Sequence, residues 1–128
     1  MITELVQARA ILHGDLEVSI QRQRSACWLT RAAFERVVRD LLTARDLDVG
    51  KATMRTALCC LEIAYRDSHP QLGRRAEYAW AGLSRAAHHH AYELSPTTSE
   101  VEELIDIVAE LAAMSDADAS VAAPSSRC

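Results

Sequence analysis

The chain has 128 residues, 49% hydrophobic and 25% charged, which suits one domain able to bury a real core. Only 4 Gly and 3 Pro punctuate it and aromatics make up 5%, which argues against a turn-rich all-β fold, while abundant Ala and Leu favour helix. The net charge of −4 is split: residues 1–92 hold 13 basic against 10 acidic residues and residues 93–128 hold 1 against 8, so overall acidity does not exclude an anionic partner for the body of the domain.

Residues 4–23 carry Leu5, Ala8, Leu12, Leu16 and Ile20 at four-residue spacing, the stripe of one helix, with Gly14-Asp15 as a kink. Residues 25–44 carry Trp28, Phe34, Val37, Val38, Leu41 and Leu42 with charged residues between them, an amphipathic helix that should supply much of the core. Asp46 to Gly50 reads as a loop. Thr53 opens a third helix with Ala57, Leu58, Leu61, Ala64 and Tyr65 inside, ended by Ser68-His69-Pro70 because a residue before proline leaves helical geometry. Residues 71–94 form a fourth helix with Ala76, Ala79, Trp80, Leu83, Ala87, Ala91 and Leu94 inside, ended at Ser95-Pro96. Thr97 with Glu100, or Ser99 with Glu102, has capping-box spacing and starts a fifth helix striped by Val101, Leu104, Ile105, Val108, Leu111 and Ala112. From Ser115 the apolar period is gone, and residues 115–128 read as a disordered tail. The expectation is an all-α, compact up-and-down bundle of about five helices over residues 1–114.

Cys27, Cys59, Cys60 and Cys128 suggest no disulfide framework, since Cys59 and Cys60 are adjacent. Met1 is not followed by a basic and then apolar leader, and no apolar run approaches the ~20 residues that span a bilayer. A cytoplasmic protein without membrane contact is expected.

The unusual stretch is Ser84-Arg85-Ala86-Ala87-His88-His89-His90, late in the fourth helix. At about 100° per residue the three histidines point in different directions, and His88 and His89 lie beside Arg85. A histidine here could cap the helix carbonyls. A metal site would draw on His88 or His89 with Cys59, Cys60 or His69, but no CxxC or HExxH spacing supports one, so neither metal nor other cofactor is expected. An arginine that grips phosphate beside a histidine that moves protons could cleave RNA without metal. Glu77, Glu93 and Asp67 read as solvated surface charges, and Trp28 and Trp80 as core anchors.

The segment Ala79 to Thr97, AWAGLSRAAHHHAYELSPT, resembles the active-site helix region of HEPN domains, compact helical bundles that include many ribonuclease toxins and antiviral effectors. Their signature is Arg, four to six residues, then His, which Arg85 and His90 match in its four-residue form. The Ala-rich second helix, LTRAAFERVVRDLL, fits as well. The position after the arginine, often polar in the family, is Ala86. The resemblance implies an RNA-binding domain or a metal-independent endoribonuclease of a toxin–antitoxin or defence system, with Arg85 and His90 catalytic if it cleaves, His88 and His89 on the substrate, a homodimer that joins two Arg–His motifs, and a cognate protein partner. Small residues Ala79, Ala86, Ala87 and Ala91 would let two fourth helices approach. The alternative is a non-enzymatic helical interaction module, such as an adaptor or antitoxin-like partner.

Overall fold

The computed structural model describes residues 3–13, 19–87 and 96–125. They form five helices: α1 (Thr3–His13), α2 (Ser19–Thr43), α3 (Met54–Tyr65), α4 (Leu72–Ala87) and α5 (Thr98–Ser125). The all-α bundle expected from the sequence is what is found. α2 is its axis and packs against each of the other four helices.

The first two helices divide differently from the apolar stripes. α1 stops at His13 and α2 has already begun at Ser19, so Ile20 belongs to the second helix. Gly14 directly follows α1, the residue type that most readily ends a helix. The expected kink at Gly14-Asp15, and Leu16, lie outside the described residues. Leu5, Ala8 and Leu12 of α1 are buried against the bundle.

The buried stripe of α2 runs Ala26, Cys27, Thr30, Ala33, Phe34, Val37, Val38, Leu41 and Leu42, a repeat of three and four residues that keeps one face inward. Thr30 can join it because its hydroxyl donates to the Ala26 carbonyl at 2.7 Å. α2 ends in a Schellman arrangement. Asp46 takes a left-handed conformation at φ 61°, its N–H bonds the Thr43 carbonyl, and the Leu47 N–H bonds that of Leu42. The Leu41 carbonyl belongs to the last turn, where intrahelical donors run out. The Tyr65 hydroxyl at the end of α3 donates to it at 2.7 Å from a fully buried position. Arg45 stacks over the Tyr65 ring at 4.1 Å and donates to the Ser68 hydroxyl. The C-terminal ends of α2 and α3 are thereby tied together.

The two cap expectations hold. The Thr53 side chain accepts from the Thr56 N–H at the start of α3. At the start of α5 the Thr97 hydroxyl accepts from the Glu100 N–H, and the Glu100 carboxylate accepts from the Thr97 N–H, each at 3.1 Å. Surface ion pairs join the helices: Glu4 with Arg36, Arg9 with Asp106, Arg75 with Glu110. The Arg36 hydrogen bond holds the Glu4 carboxyl below the ordinary carboxylate range. Such exposed pairs each contribute little to stability.

α5 remains helical to Ser125, past the point where its apolar period ends. Extending an existing helix needs no new nucleus, and Ala117, Ala119, Ala122 and Ala123 favour it. Ser115 is buried, and Asp116 and Ala117 after it are exposed.

Candidate nucleic-acid interface

α4 positions Arg85, and the contacts of α4 fix which way it runs. The chain leaves α3 at Tyr65, beside Leu41 of α2, and enters α4 through bonds from His69 to Tyr65 and from Leu72 to His69. Eight residues later Trp80 stacks on Phe34 of α2, with ring centroids 5.9 Å apart. Phe34 precedes Leu41, so α4 runs antiparallel to α2. Arg85 therefore stands at the end of the bundle where α2 begins. It is exposed, in the last turn of α4, where the helix dipole favours a cation, and no described residue pairs with it. His88, His89 and His90, with Ala91, Glu93 and Leu94, lie outside the described residues, so only Arg85 of the expected site is placed.

Small residues bring α4 close to its neighbours. Ala76 and Ala79 are fully buried. A Cβ at Gly82 would come within 2.8 Å of a Leu104 methyl of α5, and one at Gly73 within 2.9 Å of the Glu62 Cβ of α3. This corrects one residue of the surface expected for self-association: Ala79 faces the core. Ala86 is half-buried, and the Ala87 side chain and Ala91 lie outside what is described. Gly73, Ala76, Ala79 and Gly82 serve the packing of α4 on its own bundle.

The second correction concerns Trp28. Expected in the core, it is 62% exposed, while Cys27 and Thr30 fill the inward positions of the same turn. Trp80 is half-buried and does anchor, against Phe34. The Arg31 guanidinium lies 4.9 Å from the centre of the Trp80 ring and 3.5 Å from the Glu35 carboxylate. Arg31 is thus held in place between an indole and a carboxylate. Trp28 sits one turn from Arg31 on α2, and Arg24, also exposed, one turn further on. Trp28 lies about 7 Å beyond the Arg31–Phe34 level along α2, and Arg85 about 7.5 Å beyond Trp80 along α4, in the same direction. The two are level at one end of the bundle.

Charge is sorted across this end. From Ser19 to Phe34 α2 carries Arg22, Arg24 and Arg31 and no acid, and α4 from Ala79 to Ala87 carries Arg85 and no acid. Among the described residues the start of α5, which runs antiparallel to α4, brings acids to this end, with Tyr78 donating to Glu103, and on α2 itself Glu35 pairs with Arg31. Glu100 is taken up by the cap. Among the described residues the α2 side of this end presents arginines and an exposed indole, and the start of α5 presents acids. Guanidinium groups bind phosphate oxygens and an exposed indole offers a stacking face, so the α2 side suits a nucleic-acid strand.

Other reactive groups do not assemble here. Burial pushes the Cys27 thiol up to about 11, so it stays protonated and unreactive at neutral pH. His69 is engaged by the Ser68 hydroxyl at 3.0 Å and by the Tyr65 ring. Among the described residues no cluster of His, Cys, Asp and Glu could hold a metal ion, and no helix is long and apolar enough to cross a membrane. Trp28 was hidden to sequence reading by its size. The signal that could have found it is its spacing from Arg24 and Arg31, which puts two arginines on its own face. Compared with family models, with curated proteins and with solved structures, the chain finds no match in any of the three.

Proposed function

We propose that this chain is a HEPN-like, cytoplasmic RNA-binding domain and metal-independent endoribonuclease, working as a homodimer in a toxin–antitoxin or defence system with a cognate protein partner. One observation carries the reading: Arg85 stands exposed and unpaired among the described residues on the last turn of α4, with four residues between it and His90, in a five-helix bundle. The expected chemistry uses the RNA itself. The 2′-hydroxyl attacks the adjacent phosphorus, the bond to the 5′-oxygen of the next nucleotide breaks, and the products are a 2′,3′-cyclic phosphate and a 5′-hydroxyl. His90 takes the proton from the 2′-hydroxyl or returns one to the leaving oxygen. Arg85 stabilises the extra negative charge on the phosphate oxygens in the transition state. His88 and His89 contact the substrate beside it.

Purified protein incubated with varied single-stranded RNAs and EDTA tests this. Cleavage with cyclic-phosphate ends is expected. Arg85→Ala should slow it by ~10²–10³ and His90→Ala by ~10²–10⁴, with the helical circular dichroism unchanged. Wild-type protein that leaves every RNA intact, with and without added metals, would overturn the nuclease assignment in favour of a non-enzymatic interaction module. Cleavage abolished by EDTA would overturn the metal-independent mechanism.

A further inference from the structure

We infer that Trp28 is a base-stacking platform for single-stranded RNA, with Arg24 and Arg31 one helical turn to either side of it and Arg85 at the same end of the bundle. The inference rests on the RNA-binding reading and adds to it a contact on a different helix from the Arg–His motif.

Tryptophan is the costliest side chain to leave in water, because its apolar area is the largest available. α2 leaves Trp28 62% exposed although its inner stripe accepts the far smaller Cys27 and Thr30 at the adjoining positions. The bundle therefore closes without it. Its own helix does not give it an apolar patch of the kind a protein partner covers. Its helix neighbours at three and four residues are Arg24, Ser25, Arg31 and Ala32. An exposed π-face with an arginine one helical turn to either side fits a base with its flanking phosphates: the indole takes the ring and the arginines take the charge. Arg31 is already fixed on Trp80 and Glu35, so little freedom is lost when it meets a phosphate. A duplex keeps its bases stacked inside, so the platform requires a single strand. The level match with Arg85 lets one strand lie on Trp28 and reach the end of α4.

A 2′-O-methyl RNA strand tests the platform without chemistry, since it has no nucleophilic hydroxyl. Trp28→Ala in the full chain should weaken its binding, measured by fluorescence anisotropy, by roughly 5- to 150-fold, the loss of one stacked base. Trp28→Phe should recover most of it. In a Trp80→Phe variant Trp28 is the sole tryptophan, and with excitation selective for indole the single strand should quench it while a duplex of the same sequence should not. If Trp80→Phe does not fold, the difference in quenching between wild type and Trp28→Phe reports the same contact. Wild-type protein that cleaves RNA while Trp28→Ala binds the strand as tightly as wild type would overturn the platform and leave the nuclease reading standing. Wild-type protein that binds no RNA would overturn both. A Trp28→Ala protein that loses self-association in light scattering, with RNA affinity unchanged, would assign the indole to a copy–copy contact instead.

Discussion

Gly73→Ala sets the packing of α4 against its own helix propensity. Alanine in a helix interior is preferred over glycine by about 1 kcal/mol, so a helix that merely tolerated glycine would gain stability. The new Cβ at residue 73 would lie 2.9 Å from the Glu62 Cβ, 3.0 Å from its Cγ and 3.1 Å from its Cα. Carbon atoms prefer about 3.5–4.0 Å, so α3 must withdraw by roughly half an ångström or more. The Cα of Glu62 is backbone and cannot rotate away. Residue 73 is also in the first turn of α4, where the propensity gain is smallest. Overpacking of this kind costs about 1–3 kcal/mol, and little offsets it. Gly82→Ala is the internal comparison. Its Cβ would meet Leu104 methyl groups at 2.8 and 3.1 Å, side-chain ends that can turn, and the site is mid-helix where the propensity gain is full. Gly73→Ala should therefore lose about 1–3 kcal/mol and Gly82→Ala clearly less, the two separated by at least ~1 kcal/mol. Urea unfolding followed by far-ultraviolet circular dichroism measures both, with an unchanged slope expected. A Gly73→Ala protein as stable as wild type, or an order reversed between the two, would refute the claim that α3 and α4 meet through backbone at this point.

Two further outcomes follow from buried polar and thiol groups. Tyr65→Phe should destabilise the domain by about 1–3 kcal/mol, because it strands the Leu41 carbonyl in the last turn of α2; a loss below ~0.5 kcal/mol in the same unfolding assay would mean the carbonyl finds another donor. Cys27 should resist an alkylating reagent at neutral pH in the native protein while exposed Cys59 reacts, and both should react in denaturant, as peptide mass mapping would show. Because folding raises the Cys27 thiol from about 9.0 to about 11, the unfolded chain gives up this proton first, and stability should fall as pH rises through that window, by on the order of 3 kcal/mol at most. Cys27→Ala should remove that alkaline slope.

The helix content and most helix limits are legible in the sequence because their causes are local. Thr53, and Thr97 with Glu100, satisfy backbone donors within one turn, so a cap can be read from four residues. The inner faces of α3 and α5 follow from period alone: Ala57, Leu58, Leu61 and Tyr65 in one, Val101, Leu104, Ile105, Val108 and Leu111 in the other. The break between α1 and α2 was harder to read, because Leu5 to Ile20 keeps a regular spacing across it. The Arg85–His90 spacing is also a property of the chain alone, and so is the charge difference between its two parts.

Tertiary structure alone decides which of two adjacent residues faces the core. Cys27 and Trp28 differ by 100° on α2, and only the positions of α1, α4 and α5 around that helix put the small side chain inside and the large one in water. Thr30 is admitted because its hydroxyl finds the Ala26 carbonyl, and Gly82 permits α4 to approach Leu104 of α5 closely. The pairing of Trp80 with Arg31 and Phe34 makes α4 antiparallel to α2 and so brings Trp28 level with Arg85, residues far apart in sequence. Periodicity gives each helix an inner face without saying which helix it meets. Side-chain volume and the direction of packing settle that, and with it which residues share the basic end of the bundle.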